Sequence, residues 1–161
     1  MLHCIRLLLT HLPFTVHMVF GPERLFHSTG RRVYNEIHTA DWWWDTQDLV
    51  PRGGTVVPLL FASDKTHLTN FSRDMAARPV YMSIGNISKS FRRQGSKRTW
   101  VRVALLPFPP KNPKDGEIHL SWHEAIERIL KPIAELDITG PRYEWDSASG
   151  KVRQCYPILA A

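Results

Sequence analysis

One acidic residue stands where metal chemistry would need it. Asp64 lies in the tetrapeptide Ser-Asp-Lys-Thr, directly after the apolar segment Thr55–Ser63. A short apolar run of this kind predicts a buried strand, which would present Asp64 at the edge of a sheet. Divalent cations prefer hard oxygen ligands, so a carboxylate held there suits one of them. Asp64 is therefore the candidate catalytic residue and metal ligand, and a turn or cap aspartate is the alternative interpretation.

A strongly basic stretch follows this carboxylate. Between residues 75 and 114 the chain has nine Lys and Arg residues and no Asp or Glu. The whole chain carries +6, so the remaining residues sum to 6 − 9 = −3. Charge of one sign favours a polyanion such as nucleic acid, whereas a solvated loop is the alternative. The candidate nucleic-acid contacts are Lys89, Arg92, Arg93, Lys97, Arg98 and Arg102.

Length and composition predict one intracellular domain. The chain has 161 residues, of which 43% are hydrophobic, enough to build a core. Cys4 and Cys155 have no framework or metal-site spacing and are expected to be free thiols. No stretch approaches the roughly twenty apolar residues of a membrane span. We therefore expect a nuclear or cytoplasmic protein with no membrane association, rather than a secreted one.

Three apolar runs predict strands in the middle of the chain. Turn-forming or charged residues bound each run, which is the usual punctuation of strands. Pro58 inside the first run is a caution, because proline cannot donate to a sheet ladder. The predicted strands cover residues 55–62, 80–87 and 99–106, and the tail starts a further strand at residue 152.

A helix is predicted between the third strand and the tail. Ser121 can cap this helix and Glu124 completes a capping box. Pro132 ends or kinks it near Lys131. The order strand, strand, strand, helix, strand predicts an α/β (α+β) fold built on a mixed sheet. Residues 1–30 are interpreted as an irregular lead-in.

The tryptophans at 42, 43 and 44 have two interpretations. Aromatic rings can stack on unpaired bases, which would suit a nucleic-acid partner. Three consecutive side chains cannot all face one way, so packing must account for at least one of them. The core interpretation is the favoured one.

Four blocks of sequence, read together, identify a family. They cover residues 31–47, 57–70, 78–93 and 153–160. Together they resemble the Plavaka-type transposases, cut-and-paste DNA elements of fungal genomes that are related to the CACTA group. The resemblance runs from about residue 20 to the C-terminus. It implies an RNase H-like core that uses an Asp-Asp-Glu triad and Mg²⁺ to cut and join DNA strands.

The resemblance places only the first of the three acidic residues in this chain. Asp64 matches the first Asp, whereas the second follows the segment matching residues 155–160 and the Glu lies far beyond. Residues 31–161 would then form a truncated, incomplete RNase H-like core. One carboxylate cannot hold two metal ions in the required geometry, so Mg²⁺ would be bound poorly and catalysis would fail.

The expected function is that of a truncated transposase-derived protein, with DNA as its partner and no competence for cleavage alone. A half-complete sheet would leave an open edge, which invites self-association or pairing with another chain. Two alternatives stay open. One is a small basic nucleic-acid-binding module without metal chemistry, and the other is a non-functional transposon remnant.

Overall fold

The fold is built on a mixed sheet that has helices packed on both faces. The computed structural model describes residues 1–64, 66–67, 76–106, 117–135, 144–146, 150 and 152–160. The α-helices within these residues are α1 (Leu2–Thr10), α2 (Asp41–Leu49), α3 (Lys89–Arg92) and α4 (Glu117–Ala134). Short 3₁₀ segments cover Leu12–His17, Ile37–Thr39 and Gly95–Lys97. The strands are β1 (Leu25–Phe26), β2 (Arg32–Val33), β3 (Thr55–Ser63), β4 (Thr66–His67), β5 (Ala76–Ile84), β6 (Val101–Leu106), β7 (Glu144–Asp146) and β8 (Val152–Leu159).

Strand β3 lies at the centre of the sheet. It pairs antiparallel with β5 on one side and parallel with β8 on the other. Beyond them, β6 pairs with β5 and β7 pairs with β8, both antiparallel. The small strands β1 and β2 form a separate ribbon. The prediction of an α+β fold with a mixed sheet, in the order strand, strand, strand, helix, strand, is confirmed; the RNase H-like identity of that sheet stays a prediction.

The β3–β5 hairpin keeps one register past the end of β3. Ser63 pairs with Val80, and Thr66 of β4 pairs with Ala77, so β4 continues the same ladder. This register sets Asp64 opposite Pro79, which has no N–H to donate. The interruption of the strand at Asp64 therefore coincides with a position where the facing strand cannot complete the ladder.

Pro58 is accommodated because the antiparallel ladder does not need its missing donor. The first β3–β5 pair joins Leu59 to Ile84, one residue after Pro58. The carbonyl of Pro58 still accepts a hydrogen bond of 2.7 Å from the N–H of Gly85. Pro58 is therefore compatible with a strand at this position, because the ladder with β5 begins at the next residue.

The two faces of the sheet bury different helices. Successive side chains of a strand point to opposite faces, so Val57 and Leu59 face one way and Val56 the other. The first face packs against α1 and α4 in one large cluster. The second packs against α2, where the fully buried Trp43 contacts the cluster of Val56 and Tyr156. The favoured core interpretation of the tryptophans holds for Trp43.

Helix α1 corrects the interpretation of residues 1–30 as irregular. Ile5, Leu8 and Leu9 recur at helical spacing and are all buried in the same cluster as the sheet. This helical spacing is visible in the sequence, but Pro13 ends the apolar run early, so no helix was predicted there. The helix stops at Thr10, and a 3₁₀ segment that contains Pro13 begins at Leu12.

Helix α4 begins earlier than its sequence signals indicated, and it passes through Pro132, as one of the two interpretations of that proline allowed. It begins at Glu117, so Ser121 lies inside the helix and does not cap it. It continues through Pro132 to Ala134. Pro132 falls in the last turn, where its missing N–H removes one bond and little helix remains to be broken. Burial of Ile133 against the sheet accounts for the extension, because that side chain reaches the core only if the turn is kept.

Replacing Gly85 by alanine should destabilise the protein by about 1–3 kcal/mol, the usual cost of overpacking. A Cβ at this position would lie 2.8 Å from Cβ of Pro58 and 3.0 Å from Cγ2 of Ile37. Gly21→Ala is the matched control, since nothing lies within 4 Å of a Cβ there. Urea unfolding of both variants measures the difference. Equal midpoints for the two would contradict the packing described here.

Candidate nucleic-acid interface

The basic segment between β5 and β6 is ordered: it consists of the short helix α3 and the 3₁₀ turn that follows it. The backbone N–H of Lys89, at the start of α3, donates to Oε2 of Glu36 over 2.7 Å. The Phe91 ring is buried in the main core, and Oγ1 of Thr99 donates to the carbonyl of Arg92 over 3.1 Å. These contacts fix both ends of the segment. Its cations are therefore presented from a defined backbone, unlike those of a solvated loop.

Five of the six candidate contacts have exposed side chains, and Arg92 is the exception. The guanidinium of Arg92 is half-buried and donates to the carbonyl of Ile87 over 2.6 Å and, more weakly, to that of Ile84 over 3.4 Å. Burial lowers the pKa of Arg92 below its usual value, and the charge of Glu36 opposes that effect. Arg92 thus ties α3 to the end of β5. The exposed candidates are Lys89, Arg93, Lys97, Arg98 and Arg102.

Arg98 adopts a backbone conformation that side chains rarely take. Its φ is 52° and its ψ is 37°, the left-handed region, and it is the one non-glycine residue with positive φ in the described part of the chain. It ends the 3₁₀ turn Gly95–Lys97 by redirecting the chain toward β6. The preceding residue, Lys97, sets its ammonium 5.5 Å from the centre of the Phe91 ring, where the ring face attracts a cation.

Asp64 lies at the opposite end of the sheet from this segment. The hairpin register sets Asp64 opposite Pro79, near the start of β5, whereas α3 is anchored at Ile84, where β5 ends. Five residues of strand at about 3.4 Å each separate the two points by about 17 Å. The carboxylate and the basic segment are therefore close in the sequence but far apart in the fold.

Arg102 is the candidate contact that shares a face with Asp64. Ala62, Tyr81 and Arg102 lie opposite one another across three neighbouring strands. Asp64 follows Ala62 two residues on, so the alternation of side chains puts it on the same face. This part of the face is exposed to solvent. Arg102 is thereby separated from the α3 cations and grouped with the carboxylate.

The side chains in the described part of the chain do not fit the two magnesium ions that the resemblance implies. Such ions need several hard oxygen ligands converging on one point. Asp64 is exposed, and the residues described contain no group of three or more His, Cys, Asp or Glu side chains that could hold a metal. The arrangement supports no chemical step through a metal, and the metal-binding role of Asp64 stays a prediction.

Several structural residues around the interface carry no local sequence signal. Glu36 caps α3 from 53 residues away along the chain. Asn86, fully buried, donates from Nδ2 to the carbonyls of Val19 and Val56 over 2.9 and 3.1 Å. Both contacts join distant segments, so neither could be recognised from neighbouring residues.

The thiol of Cys155 behaves as a core group. It is buried beside β3, and this burial raises its pKa to about 11, an effect that the charge of Arg153 partly opposes. Cys4 is half-buried, and neither thiol is in a disulfide. The prediction of two free thiols is confirmed.

Comparison with known proteins gives one result. A family model described as Plavaka transposase matches residues 1–161, the full length of the chain. No curated protein and no solved structure matches the chain. Separately, none of the helices in the described ranges is both long enough and apolar enough to cross a bilayer.

The different environments of Arg92 and Arg93 give a matched test of the interface. Arg92→Gln should lower the free energy of unfolding by about 1.5–3 kcal/mol, the worth of hydrogen bonds made by a charged group. Arg93→Gln removes the same charge from an exposed site and should change it by less than about 0.5 kcal/mol. Urea unfolding of each variant measures this. If both variants lowered the free energy of unfolding by the same small amount, Arg92 would not anchor α3.

Proposed function

Because the chain belongs to the Plavaka transposase family, we propose that it is a transposase-derived protein that binds DNA through the segment of α3 and the 3₁₀ turn after it. The match of the family over the whole chain carries this proposal. A family that cuts and joins DNA must hold it, and double-stranded DNA presents a dense row of phosphates to any cationic surface.

The charge and geometry of the α3 segment support the choice of surface. Lys89, Arg93, Lys97 and Arg98 are exposed within ten residues, the stretch from 75 to 114 contains no acidic residue, and the carboxylate of Glu36 contacts the segment at its first N–H. Capping by Glu36 and burial of Phe91 fix the backbone that carries them. Phosphate contacts of this kind position DNA without reading its sequence, so we expect binding to generic duplex.

An RNase H-like core is part of the same proposal. In support of it, three neighbouring antiparallel strands of the sheet, β3, β5 and β6, precede helix α4, and β8, which follows that helix and the short β7, pairs parallel with β3. Asp64 directly follows the central strand. As a single carboxylate, Asp64 would bind a magnesium ion poorly, since such ions need several hard oxygen ligands.

We propose that this chain does not cleave DNA by itself. The described donor set, with no group of three metal-ligating side chains, supports that view. The separation of about 17 Å along the sheet supports it further, because phosphates held at α3 would not lie over Asp64. The alternative of a basic module without metal chemistry is favoured by the same separation, since binding and metal chemistry would then be independent properties.

Removing three exposed cations should weaken duplex binding and flatten its salt dependence. The triple variant Lys89→Gln, Arg93→Gln, Lys97→Gln should reduce the salt slope by up to about 2.7, at about 0.9 per phosphate contact. The control removes the same charge elsewhere, at exposed Arg31, Arg52 and Arg128. Fluorescence anisotropy with a generic duplex across a salt series gives both slopes.

Equal slopes for the triple variant and its control would place the DNA elsewhere on the surface. Absence of duplex binding by the folded parent chain would leave ancestry as its only link to DNA. The third possibility, a remnant without function, would then be favoured.

Asp64→Asn should leave duplex affinity unchanged within about twofold. At about 17 Å along the strands, an exposed charge is beyond the screening length of roughly 8–10 Å at physiological salt. The same anisotropy titration measures this, with and without magnesium. An increase in affinity of several fold would mean that the carboxylate lies within the DNA footprint.

A further inference from the structure

A pocket opens between the N-terminal helices and the basic segment, and nothing so far accounts for it. Its volume is about 570 Å³, within the roughly 300–1,000 Å³ of sites that hold small ligands. One wall is α1 with the 3₁₀ segment Leu12–His17, and the other is the α3 segment with its following turn. The pocket lies well away from Asp64, at the other end of the sheet.

The interior of the pocket is apolar and aromatic. Leu8, Phe14 and Phe91 form its buried floor. Phe14 meets Phe91 edge to face at 5.7 Å between ring centres. Two imidazoles extend this chain of rings toward solvent, with His11 at 4.5 Å from Phe14 and His17 stacked at 3.9 Å on Phe91. Flat rings of this kind favour a flat aromatic ligand.

The rim of the pocket is cationic. Lys97 and Arg98 line it from exposed positions, and the described lining contains no acidic side chain. The left-handed backbone of Arg98 holds that side chain at the rim. An apolar, aromatic interior beneath two fixed cations is complementary to a ligand with a flat ring at one end and an anionic group at the other.

We propose that this pocket binds one unpaired nucleotide of DNA, with its base among the rings and its phosphate at Lys97 and Arg98. This inference rests on the proposed function, because the same segment would hold the flanking duplex. It adds a preference for DNA with an unpaired base, which phosphate contacts alone do not create. Stacking on aromatic side chains is tolerant of base identity, so the preference should be for an unpaired base of any kind.

Three duplexes of one sequence test the proposal by fluorescence anisotropy. One is fully paired, one has a single bulged thymidine, and one has an abasic bulge at the same place. We expect the bulged thymidine to bind at least about fivefold more tightly than the paired duplex, the smallest effect of stacking one base. The abasic bulge is equally bendable and should lose this preference. Equal affinity for the two bulges would overturn the proposal.

Two variants separate the pocket from the general charge of the segment. Leu7→Trp fills the pocket from an exposed lining position on α1, outside the DNA-binding segment and without changing charge, so it should abolish the bulge preference and keep binding of the paired duplex. Arg98→Asn removes the rim charge and keeps a residue that tolerates positive φ, so its unfolding midpoint should not fall. It should weaken binding of the bulged duplex severalfold more than Arg128→Gln does. A bulge preference that survives Leu7→Trp would overturn the proposal.

The outcomes also distinguish this inference from the function beneath it. Salt-dependent binding of the paired duplex without bulge preference would leave the proposed function standing and remove only the pocket. Loss of all duplex binding would remove both. An apolar protein segment is the competing occupant. If the probe 1-anilinonaphthalene-8-sulfonate bound there, sensitive to Leu7→Trp, and the bulged duplex failed to displace it, the pocket would not hold the nucleotide and the proposal would be overturned.

Discussion

The carboxamide of Asn86 holds three separate parts of the chain in one place. From a fully buried position it donates to the carbonyls of Val19 and Val56, and its own backbone carbonyl accepts from the N–H of Val19. The central strand, the turn after β5 and the N-terminal segment are thus fixed to one another. Buried backbone groups are costly to leave unpaired, so these contacts enforce each other. The position of α1 relative to α3, and hence the walls of the pocket, follow from this junction.

The direction of the strands then decides what the surface can do. Strand β3 carries Asp64 to one end of the sheet, and the antiparallel β5 returns the chain to the other end before the cations begin. A carboxylate and a basic segment that are neighbours in sequence become two distinct sites.

Local signals in the sequence were enough for the strands and their order. Apolar runs marked β3, β5, β6 and β8 to within a few residues, because a buried strand needs such a run wherever it lies. The irregular interpretation of residues 1–30 and the cap assigned to Ser121 were wrong, since tertiary burial of Leu8 and Ile133 decided those helices. The candidate site was less accessible. That Arg92 would turn inward depended on carbonyls exposed at the end of β5, and the cap of α3 came from Glu36, far along the chain.

DNA binding and two-metal catalysis place different demands on a protein. Each exposed cation neutralises a phosphate nearly independently of the other cations. A surface with four exposed cations would therefore keep most of its affinity for DNA if other groups were missing. Two-metal catalysis requires every carboxylate at once, because a missing ligand removes the geometry on which the other ligands act. The fixed backbone of the α3 segment, stabilised by Glu36, Phe91 and Arg92 within the core itself, needs no metal ion to present its charge.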